Sequence, residues 1–545
     1  MSSDPRSLAA LIQHSTDPDP AFRFDGVSVS RAEFEQRVDA ATSWLAAQGI
    51  GKGDMIAVWL VNRLEWMALL FAAARLGSVV AAVNTRYRSA DVAHVLRISG
   101  AKLLILEAQF RSIDFPAILT GIDRAAVPDL QKLAIVGTGD MTAPWPCVRF
   151  DAFEKGLPRV PTQQADVDSP VLLYTTSGTT KEPKLVAHSQ ATLAGHAASV
   201  ARALAVSPGQ HSLLAMLPFC GTFGMSAVLA FLAGGATIHV LDTFDAAPAL
   251  RMLTEHGITH AFGSDEMFRR ILALTDALRP LPQAQVCGFA AFEPGWRELA
   301  AAAEARGVPL YGLYGSSELQ ALFSIGRSSA PFADRIECGG WPMSPQMVVR
   351  VRDTQTGELV APGVAGELEV QSPWRFLGYF RNAETTAKAI TSDGFFRTGD
   401  VGQVRGDGSF IYETRAGDAM RLGGFLVSPG DRGSAQIVCG RRRRAGGCRR
   451  DQGPGALRGL RHPRPRRAAD RSGADRACAR AARGVQGSRP NLLHRPVSGH
   501  RERQRREDPA RQASLHGDGD NRRGRQVPVT HGPRGPVRRV TSATS

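Results

Sequence analysis

Over roughly its first 425 residues the chain alternates two hydrophobic periods, and this alternation limits the possible folds more than any other feature. The stretch RAEFEQRVDAATSWLAAQGI, from Arg31, places apolar residues at helical spacing, with a Gly near its end suited to a helix C-terminus. DMIAVWL, from Asp54, reads as a short buried strand, followed by the helical EWMALLFAAARLG and the strand-like SVVAAVN. The alternation returns between His211 and Gly315 in HSLLAML, ATIHVL, THAFG and VPLYGLYG. Strands alternating with helices predict an α/β architecture, a large N-terminal domain of mostly parallel sheets layered with helices. From Met347 the pattern shifts to short strands with Asp-Gly and Thr-Gly turns (MVVRVRD, GELEVQS, SFIYE), which predicts a smaller β-rich subdomain.

Composition adds exclusions. The most apolar segment, residues 224–241, is interrupted by Gly234 and Gly235, so it reads as a buried helix, a turn and a strand rather than a membrane span. The N-terminus MSSDPRSLAALIQ has no basic stretch leading into an apolar run, which argues against a secretory signal. Seven scattered cysteines suggest neither a disulfide framework nor a zinc site, and a cytoplasmic protein is the expectation. The net charge of +15 is unevenly placed. From Asp431 onward lie 29 Arg and 9 acidic residues, a surplus of +20, which leaves the rest of the chain at −5. The high isoelectric point therefore belongs to the tail, and no specific nucleic-acid partner is expected for the protein as a whole.

The strongest local signal is VLLYTTSGTTKEPKLVAHS, residues 171–189. An apolar strand runs into small hydroxyl residues around Gly178 and then reaches Pro183 and Lys184. Phosphate oxygens need many close donors, and such a loop offers backbone N–H groups, hydroxyls and a cation. The spacing is not that of a Walker A loop. A Ser/Thr-rich surface loop has the same composition, at about even odds on content alone.

This loop resembles the phosphate-binding loop of the adenylate-forming superfamily, which includes acyl-CoA synthetases, luciferases and peptide-synthetase adenylation domains. It departs from the usual pattern at Lys181 and Leu185, where the family commonly has Gly. Five further segments follow in the family's order. LPFCGTFG, residues 217–224, resembles the acyl-pocket segment and implies Cys220, Gly221 and Phe223 beside the acid. Cys220 stands where many members have His and reads as a small wall rather than a nucleophile. CGFAAF, residues 287–292, resembles the strand end that flanks adenine, with Gly288, Phe289 and Ala290, and Phe289 is also expected near the acid. YGLYGSSE, residues 311–318, implies Tyr314 stacked on the base, Ser317 near the α-phosphate and Glu318 on Mg²⁺. DGFFRTGD, residues 393–400, implies Asp400 on the ribose hydroxyls, since a carboxylate offers two acceptor oxygens to two donors. YETRAGDAMRLGGF, from Tyr412, implies Arg415 on ribose or phosphate and Asp418 as a hinge. In the phosphate loop the resemblance assigns Thr176, Ser177, Gly178, Thr179, Thr180 and Lys184. Taken singly, Tyr314 would more often be core, and Glu318, Arg415 or Asp418 a solvated surface charge.

The resemblance spans roughly residues 21–429. It implies a carboxylic acid, fatty or aromatic, attacking the α-phosphate of ATP, with Mg²⁺ as cofactor and CoA as the thiol substrate. The expected organisation is an AMP-binding α/β body at 1–345, the β-rich subdomain at 346–418, a hinge and the start of a C-terminal domain at 419–429, and an Arg-rich tail at 430–545.

After Pro429 the chemistry breaks from the family's pattern. The family has there a domain bearing a catalytic Lys; this chain has no Lys, Phe, Tyr or Trp after that point, and RRRR at residues 441–444. Such composition cannot offset its ordering entropy and reads as largely disordered. A natural basic tail that binds nucleic acid is one reading, and a non-catalytic nucleotide-binding protein would follow from it. The second reading is a shift of reading frame. Arg codons of the CGN type, read one nucleotide later, become codons for Val, Ala, Gly, Asp or Glu. Residues 495–515 permit DRFPVIESANGEKIQRAKLR in that frame, the stretch from Val485 permits FKVPGPIFSI, and the stretch from Pro429 permits EIEEAL. These resemble the family's missing C-terminal motifs in the right order, including the Lys. The expectation is an acyl-CoA synthetase whose tail is out of frame and whose activity is impaired.

Overall fold

The helix Arg31–Ala47 begins where its sequence provides a reciprocal cap: Ser30 Oγ accepts from the Glu33 N–H at 3.2 Å, and the Ser30 N–H donates to the Glu33 carboxylate at 2.8 Å. Helix Leu64–Leu76 ends on Gly77, whose φ of +69° belongs to the left-handed region glycine adopts without strain. This computed structural model describes residues 4–12, 20–111, 113–139, 141–154, 160, 166–176, 183–416, 420–422 and 425–427. All of them fall within one unit, Met1–Gly446. The expected disordered tail lies outside the described residues.

Two large sheets carry the architecture. The first is eight-stranded, and its strands Pro170–Thr175, Val79–Ala82, Met55–Trp59, Leu103–Glu107, Lys132–Val136 and Cys147–Arg149 run parallel in that spatial order. Leu185–Ser189 and Gly378–Tyr379 extend it antiparallel beyond Pro170–Thr175. The second sheet has thirteen strands among the described residues. Its parallel half runs from Phe22–Phe24 through Thr237–Val240, Ser212–Ala215, His260–Ser264 and Val286–Ala290 to Leu310–Tyr314. There the direction changes. Ser324–Ile325, Gly339–Pro342, Phe410–Arg415, Phe396–Val404, Gly366–Gln371 and Val348–Arg352 continue it antiparallel.

The strand and helix patterns read from the sequence therefore fall into an α/β fold as expected. Residues 224–241 form all but the first two residues of helix Thr222–Ala233, a turn at Gly234 and Gly235, and strand Thr237–Val240. Helices Leu64–Leu76 and Thr222–Ala233 are apolar almost all round and buried. With Trp66, Phe71, Phe231 and Phe262 they belong to the largest core cluster. The short strands after Met347 are present too, and their hydrogen-bond ladder runs on into the large sheet through Gly339–Pro342 and Phe410–Arg415.

Candidate nucleotide and acid site

The candidate site gathers where the large sheet changes from parallel to antiparallel. Leu310–Tyr314 is the last parallel strand, and the chain doubles back directly after it. A Cβ on Gly315 would lie 1.7 Å from the Ala321 carbonyl oxygen, so only glycine permits this turn. The turn is closed by the Ala321 N–H on the Ser316 carbonyl at 2.8 Å. Gln320 pins it by donating to the carbonyls of Thr192 (2.8 Å) and Trp374 (2.7 Å).

Across the seam, Asp400 and Arg415 are cross-strand partners in register. The Tyr314 hydroxyl donates to Asp400 Oδ2 at 2.6 Å, and the Arg415 guanidinium pairs with Oδ1. Arg415 also donates to the Thr398 carbonyl at 3.2 Å. Asp400 is only 4% exposed. Burial raises its pKa, and the Arg415 charge and the Tyr314 hydroxyl oppose that rise. Each carboxylate oxygen has two lone pairs, so both keep acceptor capacity for a ligand's hydroxyls. Tyr314 is the residue expected to stack on the base. Its ring is 6% exposed, edge-on to Phe323 and Phe410 and tilted against Tyr412.

Glu318 lies in the turn that follows. Its Oε1 accepts the Tyr379 hydroxyl at 2.8 Å, and burial together with the facing Glu318 pushes that phenol far above its usual range. Lys184 Nζ sits 4.9 Å from the centre of the Tyr379 ring. The Thr176 N–H donates to the Lys184 carbonyl at 3.0 Å, so the two stems of the expected phosphate loop are joined. Ser177, Gly178, Thr179 and Thr180, between those stems, lie outside the described residues, as do Lys181 and Asp418.

Ser317 is held from two sides. His188 Nε2 donates to its carbonyl at 2.8 Å, and the Thr222 hydroxyl reaches its Oγ at 3.2 Å. Full burial lowers the His188 pKa to about 4, so the imidazole is neutral at ordinary pH and the Ser317 carbonyl fixes its tautomer. Thr222, within the segment 217–224, opens helix Thr222–Ala233, so its contact joins that segment to Ser317. Cys220 is 5% exposed, and burial pushes its thiol up to about 11, which makes it a protonated wall. A Cβ on Gly224, in the first turn of that helix, would meet the Pro218 carbonyl oxygen at 2.4 Å, so this close approach too requires glycine.

In strand Val286–Ala290 the three expected residues divide between faces. Gly288 looks toward Phe262 and Leu313, on the side of helix Thr222–Ala233. Phe289 is fully buried on the opposite face, tilted against Trp296 at 5.9 Å. Its side chain therefore does not reach the acid-pocket side, contrary to expectation; strand alternation points it away. Ala290 pairs with Ser264 at the strand's end.

Sequence reasoning missed Tyr379 and Asn62. Asn62 is 2% exposed; its Nδ2 donates to the carbonyls of Leu217 (2.9 Å) and Leu241 (3.0 Å), and its Oδ1 accepts the Phe219 N–H at 2.7 Å. One amide thus ties the end of strand Met55–Trp59 to the acyl-pocket segment. The available signal was a lone Asn directly after a buried apolar run, where an amide needs partners.

The profile described as AMP-binding enzyme matches residues 13–380. The chain is similar to the 3-hydroxybenzoate–CoA ligase of Aromatoleum sp. (strain CIB), 26% identical over 432 residues that cover 76% of each chain. It is 25% identical over 448 residues to the mitochondrial medium-chain acyl-CoA ligase of Danio rerio, covering 78% of this chain and 73% of the relative. The anthranilate CoA ligase AuaEII, solved in complex with anthranoyl-AMP, superposes with a TM-score of 0.69 at 20% identity, covering 78% of this chain and 81% of that one. At that identity the likeness is one of fold.

Proposed function

This chain belongs to the AMP-binding enzyme family, and from that premise we propose that it activates a carboxylic acid with ATP, through an acyl-adenylate, toward an acyl-CoA thioester. The observation that carries the reading is the buried Asp400, held between the Tyr314 hydroxyl and Arg415 where the sheet changes direction. Two carboxylate oxygens with acceptor capacity left, beside a guanidinium, suit the paired hydroxyls and nearby phosphate of a ribonucleotide.

The residues divide the work. Asp400 accepts the ribose hydroxyls, and Arg415 balances its charge. Thr176 and the Lys184 ammonium serve the outer phosphates, Lys184 as their counter-charge. Ser317, fixed by His188 and Thr222, donates to an α-phosphate oxygen. The acid lies against Cys220, Gly221 and Phe223, so that its carboxylate attacks the α-phosphorus in line and pyrophosphate leaves. A thiol then displaces AMP. Catalysis of this kind is chiefly positioning and charge neutralisation. Magnesium fits the donor set: Glu318 is a hard oxygen ligand whose Oε2 is not the atom that Tyr379 holds, and one carboxylate plus phosphate oxygens suffices for such an ion. When bound, the ion neutralises phosphate charge.

The chain has no Lys after Pro429, so a transition-state cation supplied there by the family is absent from this reading frame. Losing one preorganised donor costs on the order of 10²–10³ in rate. The proposal is therefore a nucleotide-binding body with impaired adenylation and thioester formation, its tail out of frame from about Pro429. A second reading is favoured by the +20 surplus after Asp431: a non-catalytic nucleotide-binding protein whose tail binds nucleic acid. Acid-dependent ATP–pyrophosphate exchange separates the outcomes. The expected result is ATP binding with exchange close to background. Robust exchange would refute the impairment. Salt-dependent DNA binding lost on removing residues 431–545 would favour the second reading. Sequencing the gene across codons 425–435 tests the frame directly.

A further inference from the structure

We infer that the acid pocket is short and floored by Phe262, so that the acid is compact, a single ring or a short chain, and not a long-chain fatty acid. This rests on the acid-activating reading above. Along helix Thr222–Ala233 only Gly221 and Phe223, at its start, and Ala233, at its end, are partly exposed; Thr222 and the run 224–232 are buried. Thr222 touches Ser317, so an acid placed for attack at the α-phosphate enters beside Phe223 and must extend between this helix and the sheet.

That seam is filled. Phe223 contacts Phe262 at 6.3 Å between ring centres, Phe262 contacts Phe231 at 6.4 Å, Phe231 contacts His260 edge-on at 5.0 Å, and His260 contacts His211 at 5.3 Å. Phe262, Phe231 and His260 are buried. Gly288 removes a side chain at the place where a pocket would deepen, yet the space is taken: a Cβ there would stand 2.6 Å from Phe262 Cδ1 and 3.1 Å from Leu313 Cδ2. Interiors packed at this density do not open a long tunnel without displacing rings. An acid that enters beside Phe223 ends against Phe262, and a long acyl chain has to displace it.

Titration calorimetry on the full 545-residue chain tests this with three probes: 5′-O-sulfamoyladenosine without an acyl group, its benzoyl derivative and its hexadecanoyl derivative. The benzoyl probe should bind at least about tenfold tighter than the unacylated one, and the hexadecanoyl probe at least about tenfold weaker than the benzoyl one, since pocket fit of even one methylene is worth roughly that factor. Phe262→Ala should recover at least about tenfold for the hexadecanoyl probe and leave the unacylated probe unchanged; Phe262→Leu, a milder change to the core, should do so in part. Equal binding of the hexadecanoyl and benzoyl probes by the unaltered chain overturns the compact pocket and leaves the acid-activating reading standing. Failure of unacylated sulfamoyladenosine to bind overturns the nucleotide reading and this inference with it.

Discussion

In the parallel half of the large sheet, strands such as His260–Ser264 and Leu310–Tyr314 are buried along nearly their whole length, and candidate chemistry gathers at their C-terminal ends, as Tyr314 does, or just beyond them. In the antiparallel half the polar groups act from within the strands. Asp400 lies inside Phe396–Val404, and the fully buried Glu369 is held by Arg350 (2.7 Å) and Arg352 (2.8 Å) from the neighbouring strand. Burial pushes Glu369 up, and its two arginines outweigh that and hold it below the usual carboxylate range. Helix-covered parallel strands leave no solvated face for a charge, whereas antiparallel strands admit one wherever a cross-strand partner neutralises it. One side of the site thus provides shape and neutral groups, and the other provides paired charge.

The largest expected effect exploits the neutral side. Burial lowers His188 and His239 to about 4 and His196 and His260 to about 3. Because the folded-state values are depressed, their stabilising contribution is complete above the unfolded value near 6.5 and is lost as pH falls toward 4. In that window the unfolded chain binds four protons that the folded chain refuses, so stability should fall by about 5 kcal/mol per pH unit near pH 5. Denaturant unfolding followed from pH 7 to pH 5 measures the slope. His260→Phe should reduce it by about a quarter. A flat profile would mean that these imidazoles reach water and that their neutrality is not built into the fold.

Asp400→Ala strikes the charged side. It strips the Tyr314 hydroxyl and Arg415 of their shared partner and removes both proposed ribose acceptors. Hydrogen bonds to a charged group are worth about 1.5–3 kcal/mol each, so loss of both should drop ATP affinity roughly 10²–10⁴-fold by calorimetry. Retained affinity would move the ribose away from this seam.

How far the sequence disclosed all this follows the same division. The parallel strands and the buried helix at Thr222–Ala233 were legible because each is a local apolar run bounded by turn residues. The close-approach glycines Gly224 and Gly315 lay inside recognisable segments. The opposite facing of Gly288 and Phe289 follows from the period of two in a strand, so it too was legible in the sequence alone. What stayed hidden joins segments far apart in the chain. Tyr314 meets Asp400 across 86 positions, Tyr379 meets Glu318 across 61, and Asn62 meets Leu217 across 155. Periodicity reports which face of an element is apolar. It carries no information about which distant element will supply the hydrogen-bond partner.

Asn62→Ala tests whether the two sides can be uncoupled. It leaves the Phe219 N–H and the carbonyls of Leu217 and Leu241 without their amide partner, at about 1–3 kcal/mol for each buried group left unsatisfied. The segment bearing Cys220 should loosen while Asp400 and Arg415 stay in place. Affinity for benzoyl-sulfamoyladenosine should fall on the order of 10–10²-fold, with ATP affinity changed by less than about twofold. Equal losses for both ligands would show that the amide holds the whole site rather than its acid side.

The smallest effect is expected at Tyr379, where the two sheets meet. Its strand Gly378–Tyr379 pairs with Leu185–Ser189 in the eight-stranded sheet, yet its hydroxyl orients Glu318, which follows the last parallel strand of the other. Tyr379→Phe keeps the ring under Lys184 and removes only the donor to Glu318 Oε1. Groups that orient a metal-binding carboxylate typically contribute 10–100-fold to metal affinity, and a single hydroxyl belongs near the lower limit. Magnesium should then strengthen ATP binding about tenfold less than in the unaltered chain, while ATP binding in chelator stays the same. An equal loss with and without magnesium would assign Tyr379 to the phosphates through Lys184 and leave Glu318 without a metal role.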